Sequence, residues 1–250
     1  MEKCIIGQNR DTSNFHSFIT FIMARQARIV ISNFPHHILN RSNNKEVIFC
    51  DEADFRFFLR QIKKYKEKYR IKIHHYCIMP NHYHFLVIPP NSESLAKFMH
   101  DLMLVYAQYI QRKYEKVGHV WQERYKSPII EKQTYLIQCG YYIEDNPRRA
   151  GLVKDLKDWP WSSYQFYAFG KPDFIVDIDP EYLKLGKTLE EREENYRKYI
   201  MGAQDEKWLE NTRHGLNQGI LGSENFLKEM VEKFKIKLVR VGQRGRPSKN

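Results

Sequence analysis

Two histidines separated by one residue stand at the start of a predicted β-strand. His82 and His84 follow the sequence Met79-Pro80-Asn81, which we interpret as a turn because proline cannot continue the hydrogen bonding of a central strand. Side chains of a strand alternate between its two faces, so both imidazoles point to one side. Neutral imidazoles about 6–7 Å apart along a strand can bind one metal ion. The alternative is a histidine pair that only decorates a solvent-exposed face.

Two other classes of metal site are excluded by the sequence. Hydrolases with an HxHxDH motif need an acidic residue just after the histidine pair, and here that place holds Leu86. Zinc ribbons need closely spaced cysteines, whereas the four cysteines are far apart: Cys4, Cys50, Cys77 and Cys139. This spacing also provides no disulfide framework, and we expect Cys77 and Cys139 to pack in the core.

A tyrosine and an asparagine one helical turn apart form the second candidate group. The pattern predicts a helix from about Thr134 to Asp145 that ends at Asn146-Pro147. Tyr142 and Asn146 are i and i+4 and share one face, so one can supply a nucleophilic phenol and the other a carbonyl oxygen for a metal. A phenol ionises near pH 10, so attack on phosphorus needs a cation or base nearby. Ordinary packing is the alternative for this tyrosine.

The loop before this helix mixes cationic and aromatic side chains. Cations that follow phosphates and rings that stack on bases are typical of single-strand binding, and we predict DNA contacts for His119, Trp121, Arg124 and Lys126. Packing of Trp121 under the loop is the alternative. In the basic tail, Arg244-Gly245-Arg246 resembles the core of an AT-hook, which binds the narrow minor groove.

The composition favours a polyanionic partner. The chain has 250 residues, with 41 Lys and Arg against 30 Asp and Glu and a net charge of +11. Such a basic balance indicates nucleic acid as the first candidate. No apolar run approaches the roughly 20 residues of a membrane span, and the segment from Phe18 to Met23 is too short for a signal sequence. We therefore expect a cytoplasmic protein with no membrane partner.

The elements that must position these residues are predicted from periodicity and turn residues. Strands alternate with helices and include antiparallel neighbours, which is typical of an α+β fold. One predicted strand starts at Ile29 and is continued by His37 to Leu39, and three more cover Ile71–Ile78, His82–Ile88 and Ile129–Ile130. One predicted helix starts at Asp51, and three more cover Ser92–Glu115, Thr134–Asp145 and Leu221–Phe234.

Three motifs in order resemble a known family. MPNHYHFLV at Met79–Val87, GHVWQERYKS at Gly118–Ser127 and YIEDNPRRAGLV at Tyr142–Val153 are similar in order and spacing to single-tyrosine HUH transposases, specifically to the REP-associated tyrosine transposases. MARQARIV at Met23 and WPWSSY at Trp159 also resemble that group. The similarity covers roughly residues 23–170.

The resemblance implies a ferredoxin-like antiparallel sheet with packed helices. It further implies Mg²⁺ or Mn²⁺ bound by His82, His84 and Asn146, and cleavage of single-stranded or hairpin DNA by Tyr142 through a 5′-phosphotyrosine. Tyr141 is then a neighbour that points about 100° away on the helix. Where the family has a small apolar residue after Asn-Pro, this chain has Arg148, and with Arg149 it forms a basic pair suited to phosphate contact.

The expected organisation follows from the extent of the resemblance. We assign residues 1–22 to an N-terminal arm, either disordered or an artefact of an upstream start codon, 23–170 to a transposase-like catalytic domain, 171–240 to a helical extension and 241–250 to the AT-hook-like tail. A monomer and a homodimer both remain open. The main alternative to a transposase is a non-catalytic DNA- or RNA-binding regulator on the same scaffold. A further alternative is a metal hydrolase that uses water as nucleophile.

Overall fold

The computed structural model describes residues 28–202 and 206–234. The predicted arm and the tail with Arg244 and Arg246 lie outside the described residues. In chain order the elements are β1 (His36–Arg41), α1 (Glu52–Tyr69), β2 (Lys72–Met79), β3 (His82–Ile88), α2 (Ser92–Lys113), β4 (Ile129–Ile130), α3 (Thr134–Glu144), α4 (Asn146–Arg149), α5 (Tyr164–Phe169), α6 (Leu189–Gly202), α7 (Glu206–Gln218), β5 (Ile220–Leu221) and α8 (Glu224–Phe234).

The sheet has the strand order β2-β3-β1-β4-β5. Its first four strands are antiparallel to their neighbours, and α1 and α2 connect them in the order β1-α1-β2-β3-α2-β4. This arrangement confirms the predicted α+β fold with a ferredoxin-like antiparallel sheet. The extension adds β5, which pairs in parallel with β4, so the complete sheet is mixed.

Helices cover both faces of the sheet. On one face, α1 and α2 bury Phe58 and Phe98 against Tyr83 and Phe85 of β3. On the other face, α3 packs against the side chains of β2 and β3 that point the opposite way, among them Leu86. The alternation of β3 therefore directs its aromatic residues into the larger core and its histidines towards α3.

Local signals explain where α1 begins and ends. Asp51 is its N-cap, and a reciprocal capping box joins the Asp51 side chain to the backbone N–H of Asp54 and the Asp54 side chain to that of Asp51. Such caps satisfy N–H groups that have no partner within the helix. At the other end, Arg70 adopts a left-handed conformation with φ of 54°, which stops the helix before β2.

A buried ionic cluster joins the extension, residues 171–240, to α3, the helix that carries Tyr142 and that we call the tyrosine helix. His75 of β2 contacts Glu144 of α3 at 2.9 Å through Nδ1 and Asp179 at 3.1 Å through Nε2, and all three side chains are fully buried. Glu144 also accepts hydrogen bonds from Ser163 and from Tyr196 of α6. Burial lowers the pKa of His75, but the hydrogen bonds and charges of Asp179 and Glu144 outweigh it and raise this pKa to about 9. The imidazole is therefore a cation at neutral pH.

The outer edge of β2 is covered by the chain that follows Trp161. Ser163 donates its backbone N–H to the carbonyl of Tyr76 at 3.0 Å, and Asp177 donates to the carbonyl of Ile73 at 2.8 Å. The side chains of the same two residues accept from the N–H groups of Tyr76 and Ile73. Backbone groups that an edge strand normally exposes are thus paired within the chain.

Several sequence expectations need correction. The apolar run at Ile29 is not a strand, because the pairing partner of β3 begins only at His36. The last helix does not begin at Leu221, which belongs to β5, but at Glu224. The predicted strands at 71–78, 82–88 and 129–130 and the helices from Ser92 and Thr134 are confirmed to within two residues.

Two further expectations concern burial. Cys77 and Cys139 are buried in the core between the sheet and α3, as predicted.

Among residues 28–202 and 206–234, no helix is both long enough and apolar enough to cross a membrane.

Candidate active site

The histidine pair lies on the face of β3 that meets α3. The rings of His82 and His84 have centroids 5.0 Å apart, with planes at 78° to each other. His84 is buried and His82 half-buried. The two imidazoles therefore share one side of the sheet, as strand alternation predicts. They lie just after the turn at Pro80-Asn81, where β3 begins.

Tyr142 stands beside His84, one member of this pair. Its ring meets that of His84 edge-on, with centroids 6.5 Å apart and planes at 87°. It also meets the ring of His37, on the neighbouring strand β1, at 6.3 Å. The tyrosine reaches this position because α3 packs across β2 and β3 through Leu136, Cys139 and Ile143. The structure thus brings together a phenol and two imidazoles that are far apart in sequence.

The adjacent tyrosine points into the protein instead. Tyr141 is 1% exposed and packs against Tyr196 and Tyr199 of α6, with ring centroids 4.8 and 4.9 Å away. Burial raises the pKa of its hydroxyl well above the ordinary value of 10.0. Of the two neighbouring phenols, only that of Tyr142 faces the histidines.

Asn146 lies at the C-terminal end of the tyrosine helix. Its Nδ2 donates to the carbonyls of Tyr142 at 3.0 Å and Ile143 at 2.8 Å, which lack partners within the helix. Both donor positions of the amide are thereby used. The Oδ1 atom has no hydrogen-bond partner in the described part of the chain and is available as an oxygen ligand.

The two arginines after Asn146 are held by Asp145. Arg148 donates to Asp145 at 2.7 Å, and Arg149 lies 3.4 Å from the same carboxylate. Arg149 also donates to the backbone carbonyl of Tyr142 at 2.7 Å and places its guanidinium 4.2 Å from the centre of the Tyr142 ring. This contact was not predicted from the sequence. The phosphate contact expected of these arginines stays a prediction.

The imidazoles around the phenol are neutral at physiological pH. Burial is the main cause, and it lowers the pKa of His37 to about 3 and that of His82 to about 4. The positive charge of Arg149 adds to both effects. The pKa of His84 lies well below 6.5, because of burial and then of its cationic and histidine neighbours. Neutral imidazoles retain the lone pairs that metal ligation requires.

The donor set fits a divalent cation. Within the part of the chain that the structure describes, no group of three or more His, Cys, Asp and Glu side chains is arranged to hold a metal. The predicted set is different, with two imidazoles and the amide oxygen of Asn146. The Nε2 atom of His84 is buried and has no hydrogen-bond partner, as expected of a ligand nitrogen. The amide oxygen is a ligand of the type that Mg²⁺ and Mn²⁺ prefer, and the two imidazoles favour Mn²⁺, the softer of these two ions.

The C-terminal extension completes the wall of this site. A cavity of about 60 Å³ is lined by His37, His84 and Tyr142, and α7 adds Arg213 and Asn217. No function was predicted for this extension from the sequence. Although the extension is rich in charged residues, its Leu216 is apolar and packs against α3.

A basic groove continues from this cavity along β1. It has a volume of about 360 Å³, shares Leu39, Lys126 and Asn217 with the cavity, and carries four cations: Arg41, Lys45, Arg124 and Lys126. None of the four pairs with an acidic side chain within the described ranges 28–202 and 206–234. The lining also includes one carboxylate, Glu123, so the groove carries a net positive charge beside the tyrosine.

The predicted DNA contacts are placed differently from one another. Arg124 and Lys126 line the basic groove, and His119 is exposed on the preceding loop. Trp121, by contrast, packs inside: its Nε1 donates to the carbonyl of Met103 at 2.9 Å and its ring contacts Tyr83. A DNA contact by Trp121 remains a prediction, but packing accounts for its present position.

Comparisons with known proteins point to one family. The sequence profile of a family described as IS200-like transposases matches residues 30–146. A putative REP-associated tyrosine transposase of Haemophilus influenzae is 30% identical, over 48% of this chain and 74% of that relative. The residues that the family profile matches include His82, His84, Tyr142 and Asn146.

Two solved structures match parts of this chain, and the first of them shows a similar fold. A REP-associated tyrosine transposase bound to a REP hairpin has a TM-score of 0.50 and 19% identity, and the match covers 63% of this chain and 93% of that chain. A putative transposase from Deinococcus radiodurans has a TM-score of 0.33 and 19% identity, over 48% of this chain and 96% of its own.

Proposed function

Since the chain belongs to the IS200-like family of transposases, we propose that it cleaves and rejoins single-stranded DNA with Tyr142 as the nucleophile. One observation carries this proposal: the phenol ring lies 6.5 Å from the ring of His84, whose buried Nε2 has no partner. The contacts of Tyr141 within the core support the choice of Tyr142 over its neighbour.

The reaction exchanges one phosphoester for another. The phenol oxygen of Tyr142 attacks the scissile phosphorus, the bond from phosphorus to the 3′ oxygen breaks, and a 5′-phosphotyrosine forms. The phenol loses one proton and the departing 3′ oxygen gains one. In strand transfer, a 3′ hydroxyl attacks the phosphotyrosine and releases the phenol, so the bond energy is conserved without a nucleotide cofactor.

His82 and His84, through Nε2, and Asn146, through Oδ1, are the residues that would hold Mg²⁺ or Mn²⁺. Such an ion polarises the scissile phosphate and favours the phenolate. Arg149 fixes the tyrosine, since it contacts both the ring and the backbone carbonyl. A cation over the ring face stabilises this placement by about 1–2 kcal/mol when partly desolvated.

The substrate is a single strand that enters through the basic groove. Four unpaired cations there can follow consecutive phosphates, and the groove opens into the cavity that holds Tyr142. The structural relative was solved bound to a REP hairpin, which supports a hairpin flanked by single-stranded DNA as the substrate of this chain.

The proposal is tested by mixing the full chain, Mn²⁺ and labelled hairpin DNA, and by looking for an adduct on a denaturing gel. We expect Tyr142→Phe to abolish the adduct while DNA binding persists. Tyr141→Phe is the matched control, because its hydroxyl is buried without a partner, and it should form the adduct normally. An undiminished adduct from Tyr142→Phe would reject the assignment. DNA binding without any adduct from the wild type would favour the non-catalytic regulator.

A further inference from the structure

Each imidazole of the candidate pair has its second ring nitrogen engaged by a side chain. For His82, Nδ1 lies 2.6 Å from Oδ1 of Asn81. The orientation of that amide is set because its Nδ2 donates to the carbonyl of Lys45 at 2.9 Å. An amide oxygen only accepts, so Nδ1 of His82 carries the proton and Nε2 keeps its lone pair.

His84 has another histidine in the equivalent place. Its Nδ1 lies 2.9 Å from Nε2 of His37. The two rings are within 5° of parallel and their centroids are 5.1 Å apart, so the hydrogen bond runs along the line that joins the rings. The outward atoms of the pair, Nδ1 of His37 and Nε2 of His84, are buried and have no partner in the described structure.

Two proton arrangements satisfy this hydrogen bond, and they differ in what they present to the site. If His84 donates, its Nε2 is unprotonated and can bind a cation. If His37 donates, His84 must carry its own proton on Nε2, which then cannot be a ligand. Ligation at Nε2 is therefore possible only when His37 is the acceptor.

We propose that His37 is a positioning residue that accepts the Nδ1 proton of His84 and so turns the Nε2 lone pair of His84 towards the cation. This inference rests on the function proposed above. His37 is suited to the task because its strand β1 pairs with β3: it lies directly opposite Leu86, and so diagonally from His84 on the same face. Removal of such an outer partner typically weakens metal binding 10–100-fold.

The test measures Mn²⁺ binding by calorimetry with the full chain and no DNA. His37→Leu removes the acceptor, and we expect it to weaken the affinity for Mn²⁺ by 10–100-fold. His37→Gln carries an amide oxygen near the former position of Nε2, and we expect its affinity to stay within a few-fold of the wild type. His36→Leu is the matched control: it removes a buried histidine from the same strand, whose contacts are the backbone of Ile31 and Ser127, and it should leave Mn²⁺ binding unchanged.

A second readout reports the tautomer itself. In long-range ¹H–¹⁵N spectra of the histidine side chains, we expect the Nδ1–H form of His84 in the wild type and in His37→Gln, and a mixture of tautomers in His37→Leu. Should His37→Leu fail to fold, His37→Gln and the wild type still decide the matter. An Nε2–H form of His84 in the Mn²⁺-free wild type, unchanged in His37→Gln, would overturn the inference.

The failure of this inference is distinguishable from failure of the proposed function. His82→Ala is measured in parallel. If it leaves Mn²⁺ binding intact, the proposed metal site is wrong, and the role of His37 fails with it. If His82→Ala abolishes binding while folded His37→Leu binds as the wild type does, only the positioning role of His37 is refuted.

Discussion

The buried cation His75 makes the stability of the whole site depend on pH. Its pKa of about 9 in the folded chain compares with an ordinary value of 6.5. Because the folded state holds the proton more tightly, the stabilisation is fully present below about pH 6.5 and is lost as the pH rises through about 9. Since one pKa unit corresponds to about 1.4 kcal/mol, the loss is on the order of 3 kcal/mol.

The loss is concentrated at the tyrosine helix. Glu144, one partner of His75, lies two residues after Tyr142 on α3, and Asp179, the other partner, belongs to the extension. Once His75 is neutral, two buried carboxylates face each other without an intervening cation. We therefore expect the packing of α3 on β2 to weaken before the larger core does.

Urea denaturation at several pH values between 6.5 and 9.5 measures this effect. We expect the free energy of unfolding of the wild type to fall by on the order of 3 kcal/mol across the range. His75→Gln is the control: it should already be less stable at pH 6.5 and show a flatter dependence. The difference between the two curves isolates His75 from Cys77 and Cys139, whose pKa values burial raises in the folded chain but whose thiols ionise at about pH 8.5 in the unfolded chain.

Asp179→Asn gives an independent check. It removes one of the two carboxylates that raise the pKa of His75, so its stability should begin to fall at the same pH as that of the wild type but level off at a lower pH, with a smaller total loss. A wild-type curve that is flat between pH 6.5 and 9, or one parallel to that of His75→Gln, would refute a charged His75. So would an Asp179→Asn curve that falls as far as that of the wild type and levels off at the same pH.

Three further predictions concern the site and its supports. Arg149→Met removes the cation over the Tyr142 ring and should slow adduct formation roughly tenfold. Arg149→Lys should form the adduct at a rate between those of the wild type and Arg149→Met. Equal rates for the three proteins in a single-turnover gel assay would contradict this. Lys45→Gln in the basic groove should reduce the slope of log affinity against log salt by about 0.7 for single-stranded DNA, and an unchanged slope in fluorescence anisotropy would remove this lysine from the DNA path. Gly140→Ala should destabilise the protein by about 1–3 kcal/mol, because a Cβ there would lie 2.6 Å from the ring of His75; a higher melting temperature, as helix propensity alone predicts, would show that the ring can move.

Local features of the site were predictable from sequence. Strand alternation is a period of two residues, so a single short motif places His82 and His84 on one face. The helical period likewise separates Tyr142, which faces His84, from Tyr141, which packs against α6. These predictions succeed because each depends on backbone geometry over one or two turns.

Features that depend on strand register were not predictable. His37 meets His84 only because β1 pairs with β3 in one particular register, and nothing in the sequence around His37 indicates it. The same holds for His75, whose partners Glu144 and Asp179 are distant in the chain. The apolar run at Ile29 misled the prediction for a related reason, since a strand requires a partner as well as a suitable composition.

The covered edges of the sheet have a consequence for self-association. A second copy that tried to add its own strand beside β2 would find the carbonyls of Ile73 and Tyr76 already bonded to Asp177 and Ser163. At the opposite side, β5 is only two residues long, too short to template a stable intermolecular ladder. Within residues 28–202 and 206–234, neither edge therefore offers a ladder to a strand of a second copy, and we expect two copies of this chain on one DNA molecule to contact each other through side chains.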